Sequence, residues 1–167
     1  VLDPGCFCVI DPNTIGEPRG IYNNQSKFVA KPKNTKQVSK IIELSNEFSV
    51  GVVPYGGSTG LVGGQIGPNE SYLLLSLENM TSVREISHTD YIYTVEAGML
   101  LSDFKLLVKQ QDRLFPLSLS SEGSCQIGGN LATNAGGVNV LRYGNMRDLC
   151  LGIEAVMANG KVINDLK

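Results

Sequence analysis

The chain has 167 residues, 42% of them hydrophobic and 18% charged, with 14 Lys and Arg against 16 Asp and Glu for a formal net charge of -2. That is enough to bury one proper core, in a single domain or two small lobes, and the scattered cations form no basic stripe of the kind that neutralises nucleic-acid phosphates. No apolar run approaches the roughly 18 residues a spanning helix needs, so a soluble chain without a transmembrane segment is expected.

Val1-Leu-Asp-Pro-Gly5 lacks both an initiator Met and the basic-then-apolar order of a signal peptide, and reads as a trimmed or processed start. Residues 1–26, rich in Pro, Gly and Asn, read as an irregular arm, with one domain expected over 27–167. A short strand, Phe28-Val-Ala30, follows. Asn34-Thr35 opens a helix from about Lys36 to Glu47, because Val38, Ile41, Ile42 and Phe48 recur at helical spacing. The cations from Lys27 to Lys40 read as a solvated face. Val50-Gly-Val-Val53 is a buried-strand pattern ending at Pro54, so the glycine cluster 54–60 comes directly after a strand. Three more strands are expected at 72–77, 83–86 and 92–96, with turns at 79–82 and 88–90.

Ser102 is positioned to cap a helix through Gln111, with Phe104, Leu107 and Val108 on its apolar face. Phe115-Pro-Leu117 then leads towards the uncharged run Cys125-Gln-Ile-Gly-Gly-Asn-Leu-Ala-Thr-Asn-Ala-Gly-Gly137. Small residues let main chain approach a bulky ligand closely, and the Asn amides both donate and accept. Finally, 149–157 and 161–163 read as strands joined at Ala158-Asn-Gly160, a hairpin signal. The fold class is α+β.

A strand running into a glycine-rich loop presents backbone N–H groups to phosphate oxygens. Neither glycine cluster has the dinucleotide fingerprint of the nicotinamide Rossmann fold. Gly123 to Gly128 has Walker spacing, but Gly129 and Asn130 stand where Lys and Ser or Thr are required. What remains is a diphosphate site of amides and hydroxyls, with no Lys or Arg among Gly56, Gly57, Ser58, Thr59 and Gly60. Such a site suits a cofactor that is kept rather than a nucleotide that is cleaved.

Pro54-Tyr-Gly-Gly-Ser-Thr-Gly60 with Leu-Val-Gly-Gly64, Pro116-Leu117, the 123–137 run, Arg142-Tyr-Gly-Asn145 and 151–160 together resemble the flavin-binding domain of the FAD-linked oxidases. Within that family the likeness is greatest to the D-lactate and D-2-hydroxyglutarate dehydrogenases and the glycolate oxidase D subunit, over residues 16–167. The resemblance implies a two-lobed α+β FAD-binding domain and an enzyme that oxidises a D-2-hydroxy acid. It implies that Pro54, Tyr55, Gly56, Gly57, Ser58, Thr59, Gly60 and Leu61 bind the FAD pyrophosphate. By the same likeness, Gly123, Ser124, Cys125, Gly128, Gly129, Asn130, Ala132, Thr133, Asn134, Gly136 and Gly137 lie along pyrophosphate and flavin, and Pro116, Leu117, Tyr143 and Gly144 contact the cofactor. Some superfamily members attach FAD through a His after the first Gly-Gly; Ser58 stands there, implying non-covalent FAD.

The family's flavin domain continues beyond this chain's last residue, and a separate substrate domain supplies the residues that act on the hydroxy acid. The chain is therefore expected to be a fragment, truncated on its C-terminal side and inactive alone. Its substrate and electron acceptor would be engaged by parts outside it. The oligomeric state is left open, with a homodimer among the options.

His88 is the only histidine, which excludes a multi-His metal site, and it is expected in an exposed turn. No catalytic acid, base or metal ligand is assigned. Cys6, Cys8, Cys125 and Cys150 are read as reduced thiols in a cytoplasmic compartment, with the mitochondrial matrix or a peripheral membrane location as alternatives. Two rival readings are a nucleotide-sugar reductase of the same flavin fold and a non-enzymatic nucleotide-binding or interaction module.

Overall fold

The computed structural model describes Leu2 and residues 4–166, so the expectations that touch Val1, Asp3 and Lys167 lie outside the described residues. The first lobe is built on a four-stranded sheet of β1 (Phe7–Val9), β2 (Phe28–Ala30), β3 (Gly51–Tyr55) and β4 (Tyr72–Ser76), in the order β1-β2-β4-β3. β4 lies parallel to both neighbours, placing Leu74 opposite Val29 on one side and Val53 on the other. Leu73, Leu74 and Leu75 are all buried, which explains their unbroken apolar run: a central parallel strand is covered on both faces.

Leu73 and Leu75 face α1 (Thr35–Glu47), where they pack with Ala30, Val38, Ile41 and Met80. Leu74 joins Val29 and Val53 on the opposite face. α1 begins where the sequence indicates, because the Asn34 side chain accepts a hydrogen bond from the Gln37 N–H.

The 1–26 arm is not wholly irregular. Phe7–Val9 pairs antiparallel with Phe28–Ala30 and forms the sheet edge, a strand too short for its alternation to show in sequence. Downstream, Gly16 bridges to Asn23, and the Gln25 N–H donates to the Gly67 carbonyl at 3.0 Å.

The second lobe contains the antiparallel pair β5 (Val83–Ser87) and β6 (Ile92–Val95), α2 (Leu101–Gln110), α3 (Ile127–Ala132) and α4 (Val140–Tyr143). A closing antiparallel hairpin follows, β7 (Glu154–Val156) and β8 (Val162–Asn164). Its turn forms at the Asn-Gly signal, with Gly160 at φ +83°. β7 covers Glu154–Val156 rather than the expected 149–157: Leu149 closes the 3-10 segment Met146–Leu149, and 150–153 and 157 are outside the strand.

Leu101, Phe104 and Val108 line the buried face of α2 with Leu117, Cys125, Ile127 and Met146. Phe104 is edge-on to Tyr93 and Phe115, with ring centroids 5.7 and 4.7 Å away. Ser102 lies inside α2 rather than capping it. The first N–H groups of α2 are satisfied instead by the carbonyls of Cys125 (to Leu101, 3.0 Å) and Glu122 (to Ser102, 2.9 Å), partners that sequence spacing does not reveal. Among the described residues, no helix is long and apolar enough to cross a membrane.

Candidate functional site

The loop joining β3 to β4, residues 56–71, carries the first glycine cluster from one parallel strand to its neighbour. Among the described residues, the N–H groups of Gly57, Ser58, Thr59 and Gly60 donate to no protein acceptor. Consecutive unspent donors on a partly exposed loop make a concavity that attracts oxyanions. The Ser58 hydroxyl is already used, donating to the Gly16 carbonyl at 2.5 Å, so Ser58 offers a ligand its N–H rather than its side-chain proton.

The second glycine cluster is brought directly against the first. A Cβ on Gly57 would stand 1.9 Å from the Ser124 carbonyl oxygen, and one on Gly56 would stand 3.3 Å from Gln126 Oε1. Only glycine at 57 permits that approach. Gly137, at φ +73°, passes as closely to the Ser118 carbonyl, with 2.1 Å between that oxygen and the Cβ position. The next residue, Val138, donates its N–H to the same carbonyl at 3.1 Å, and Asn139 Nδ2 donates to the Pro116 carbonyl at 3.0 Å. The 116–119 strip therefore runs beside 137–139. Among the described residues, the N–H groups of Gly136 and Gly137 have no protein acceptor either, and apart from chain neighbours and α3's own backbone no described atom lies within 4 Å of a Cβ position at Gly123 or Gly129.

Other members of the predicted set are spent on the framework. Leu117, Cys125 and Asn130 are buried, and Asn130 Nδ2 donates to Cys125 Sγ at 3.4 Å. Leu117 and Cys125 pack with Ile127 of α3 in the second lobe's core. Thr133 Oγ1 donates to the Gly129 carbonyl, and Asn134 Oδ1 accepts from the Arg147 N–H. Arg147 closes the end of α3 by donating from Nη2 to the Ala132 carbonyl at 2.8 Å. Tyr143 ends α4, with the Arg142 guanidinium 5.3 Å from its ring centroid, and Gly144 follows at φ +79°.

A cleft of about 750 Å³ opens beside the glycine clusters and is walled by both lobes, among others Val38, Leu75, Tyr93, Phe104, Ile127 and Val156. Of the predicted residues it reaches Pro54, Pro116 and Gly128. The unspent amides of 57–60 do not line it, so the apolar cleft and the anion-type loop are separate features.

Three units meet at the cleft's polar corner. Arg84 donates to Glu154 at 2.8 Å and to Thr35 Oγ1 at 3.2 Å, and lies 3.4 Å from Glu96. The Thr35 hydroxyl donates to Glu154 at 2.6 Å, and Asn164 Nδ2 to its other oxygen at 3.1 Å. The Thr35 hydroxyl and then the Arg84 guanidinium hold the Glu154 carboxyl below its ordinary value, against the opposing effect of burial. Glu154 in turn raises Arg84 further.

The donor set, backbone amides without a cation inside the loop, fits a diphosphate, and the bare backbone at Gly123 and Gly129 fits a large group lying alongside it. The sequence pattern of the FAD binding domain matches residues 26–165. The chain belongs to the FAD binding domain family. FAD is the cofactor that this membership assigns to it.

The chain is 39% identical over 145 residues to a D-2-hydroxyglutarate–pyruvate transhydrogenase of Saccharomyces cerevisiae, covering 87% of this chain and 29% of the relative. It is 42% identical over 141 residues to a mitochondrial D-2-hydroxyglutarate dehydrogenase of Danio rerio, covering 84% of this chain and 26% of the relative. The chain thus spans under a third of the length of these relatives.

Among solved structures, an alkyldihydroxyacetonephosphate synthase superposes with a TM-score of 0.83 at 19% identity, over 98% of this chain and 32% of that one. Phl p 4, a grass pollen allergen with glucose dehydrogenase activity, superposes with a TM-score of 0.79 at 17% identity, over 98% and 36%. These likenesses establish the α+β flavin-domain fold expected from the sequence.

Sequence reasoning missed two contributors to the FAD-family loop. Arg19 Nη2 donates to the Leu61 carbonyl, and Gln65 Nε2 donates to the Gly60 carbonyl at 2.9 Å. The Arg19 contact joins segments 42 residues apart, so no local pattern could have announced it.

Proposed function

We propose that this chain is the flavin-holding part of a longer dehydrogenase that oxidises a D-2-hydroxy acid of the D-lactate, glycolate or D-2-hydroxyglutarate type to the 2-oxo acid. The observation that carries the reading is the meeting of two glycine clusters, each with unspent N–H groups, at Gly57 and Ser124. Relatives named for D-2-hydroxyglutarate support the substrate class.

In this reading the N–H groups of 57–60 receive the pyrophosphate, with Pro54, Tyr55, Gly56 and Leu61 shaping the loop around it. Residues 123–137 border the pyrophosphate and flavin, and Pro116, Leu117, Tyr143 and Gly144 border the cofactor. Several charge-assisted N–H bonds, each contributing about 1.5–3 kcal/mol, hold a dianion without a cation in the loop itself. FAD held by these residues would supply the hydride-accepting redox chemistry, and the protein's part is to orient it. The domain proper begins near residue 27, and the arm before it contributes β1 to the edge of the first lobe's sheet. The substrate and the electron acceptor would be engaged by chain outside these residues, in a mitochondrion as in the relatives named mitochondrial.

Assaying dye reduction by the full-length protein with D-lactate, glycolate and D-2-hydroxyglutarate tests the substrate class. Reduction with at least one is expected, and silence with all three overturns it. Ser58 in place of an attaching histidine makes the flavin non-covalent, so acid precipitation of the same preparation should leave the flavin in the supernatant. Flavin that stays with the pellet contradicts that.

A further inference from the structure

The arm at residues 16–25 is laid against the loop at 56–67, and its chemistry is concentrated at Glu17 and Arg19. The Glu17 side chain is fully buried, accepting from the Ile21 N–H at 2.6 Å and the Arg19 N–H at 3.0 Å, with Arg19 Nε 3.8 Å away. A buried carboxylate is costly unless its lone pairs are used, and here they close a tight turn that aims the Arg19 side chain. Half of that side chain remains exposed. Its guanidinium reaches the Leu61 carbonyl, while the loop's Ser58 Oγ donates to the arm's Gly16 carbonyl and the loop's Gly67 N–H donates to the arm's Asn24 Oδ1.

Two successive loop carbonyls are therefore held from behind, that of Gly60 by Gln65 and that of Leu61 by Arg19. In a planar trans peptide the N–H points opposite to the C=O, so holding these oxygens turns the Leu61 and Val62 N–H groups the other way. Neither group has a protein acceptor among the described residues. The Pro54–Gly60 stretch contains no cation, and the guanidinium brought against Leu61 adds one from a distant part of the chain, its charge partly offset by Glu17 3.8 Å away.

We infer that Arg19 is a positioning residue for the anion-binding loop: aimed by the buried Glu17, it orients the Leu61–Val62 peptide and supplies the positive charge that the loop itself lacks. The inference rests on the assignment of FAD to this loop. It assigns to the arm a part in diphosphate affinity, distinct from any contact with the flavin ring.

The test is calorimetric titration of the full-length protein, freed of its flavin, with FAD, with inorganic pyrophosphate and with riboflavin, which carries no phosphate. Arg19→Ala should weaken FAD and pyrophosphate roughly tenfold or more, the scale of one charge-assisted bond, and leave riboflavin within about twofold. Arg19→Lys, keeping charge without the planar fork, should recover part of the loss. Equal losses for riboflavin and FAD would mean a general structural role and overturn the inference, as would unchanged pyrophosphate binding. If Arg19→Ala does not fold, Arg19→Gln, which keeps a donor and loses the charge, decides on the same ratios. Wild-type protein that takes up pyrophosphate but not FAD sinks the cofactor assignment while still leaving Arg19 judged by the pyrophosphate arm. Binding of neither overturns both.

Discussion

At the scale of single residues the site depends on where side chains are absent. Gly57 is the sharpest case, because a methyl group there would have to occupy the space of the Ser124 carbonyl. Gly57→Ala must push the two glycine clusters apart, and overpacking of this kind costs about 1–3 kcal/mol. The predicted result is a lower urea midpoint together with at least a tenfold loss of FAD affinity by flavin fluorescence titration. Wild-type affinity in this variant would show that the two clusters need not touch for FAD to bind. The glycines were legible in sequence as a place for close approach, but their partner was not. Nothing local tells Gly57 that Ser124 will be its neighbour, just as nothing in Pro18-Arg-Gly20 tells Arg19 that it will meet Leu61.

Among the elements, those with local signals were readable. The start of α1 followed from Asn34 and its apolar period, and β4 followed from its leucines. Where tertiary partners replace local ones, the reading shifted. The start of α2 is satisfied by Cys125 and Glu122 carbonyls instead of Ser102. α3 forms despite Gly128 and Gly129 because the Ile127 and Gly128 N–H groups find the Met99 and Ala97 carbonyls and Arg147 closes its far end. β4 carries a prediction of its own. Leu74 is fully buried between β2 and β3, so Leu74→Ala should cost about 2–5 kcal/mol in denaturant unfolding. A loss below 1 kcal/mol would mean that the sheet relaxes around the cavity.

Across the whole molecule, the corner formed by Thr35, Arg84, Glu96 and Glu154 ties α1, the β5–β6 pair and the closing hairpin together. Glu154 has its folded pKa depressed from an ordinary value of 4.5. A depressed carboxyl stabilises the fold above its unfolded pKa and loses that contribution as pH falls through the folded value. Stability should therefore decline as the pH is lowered below about 4.5, and Glu154→Gln should flatten part of that decline. At neutral pH the same substitution should cost roughly 1–3 kcal/mol, because Arg84 is left facing an amide. Thermal melts across the acid range check this; an unchanged pH profile in Glu154→Gln would remove the corner from the account. Glu17, held low by the Arg19, Ile21 and Tyr22 backbone N–H groups and by Arg19 against the effect of burial, contributes in the same direction.

By itself the sequence determined the fold class, most element positions, the two glycine clusters and the FAD family, because each rests on periodicity, turn chemistry or a motif spelled out in consecutive residues. Only the tertiary structure decided that Gly57 abuts Ser124, that the arm's Arg19 reaches Leu61 and that three units share Glu154. Those contacts join residues 42 to 119 positions apart, and they are set by how the strands and lobes pack rather than by any pattern along the chain.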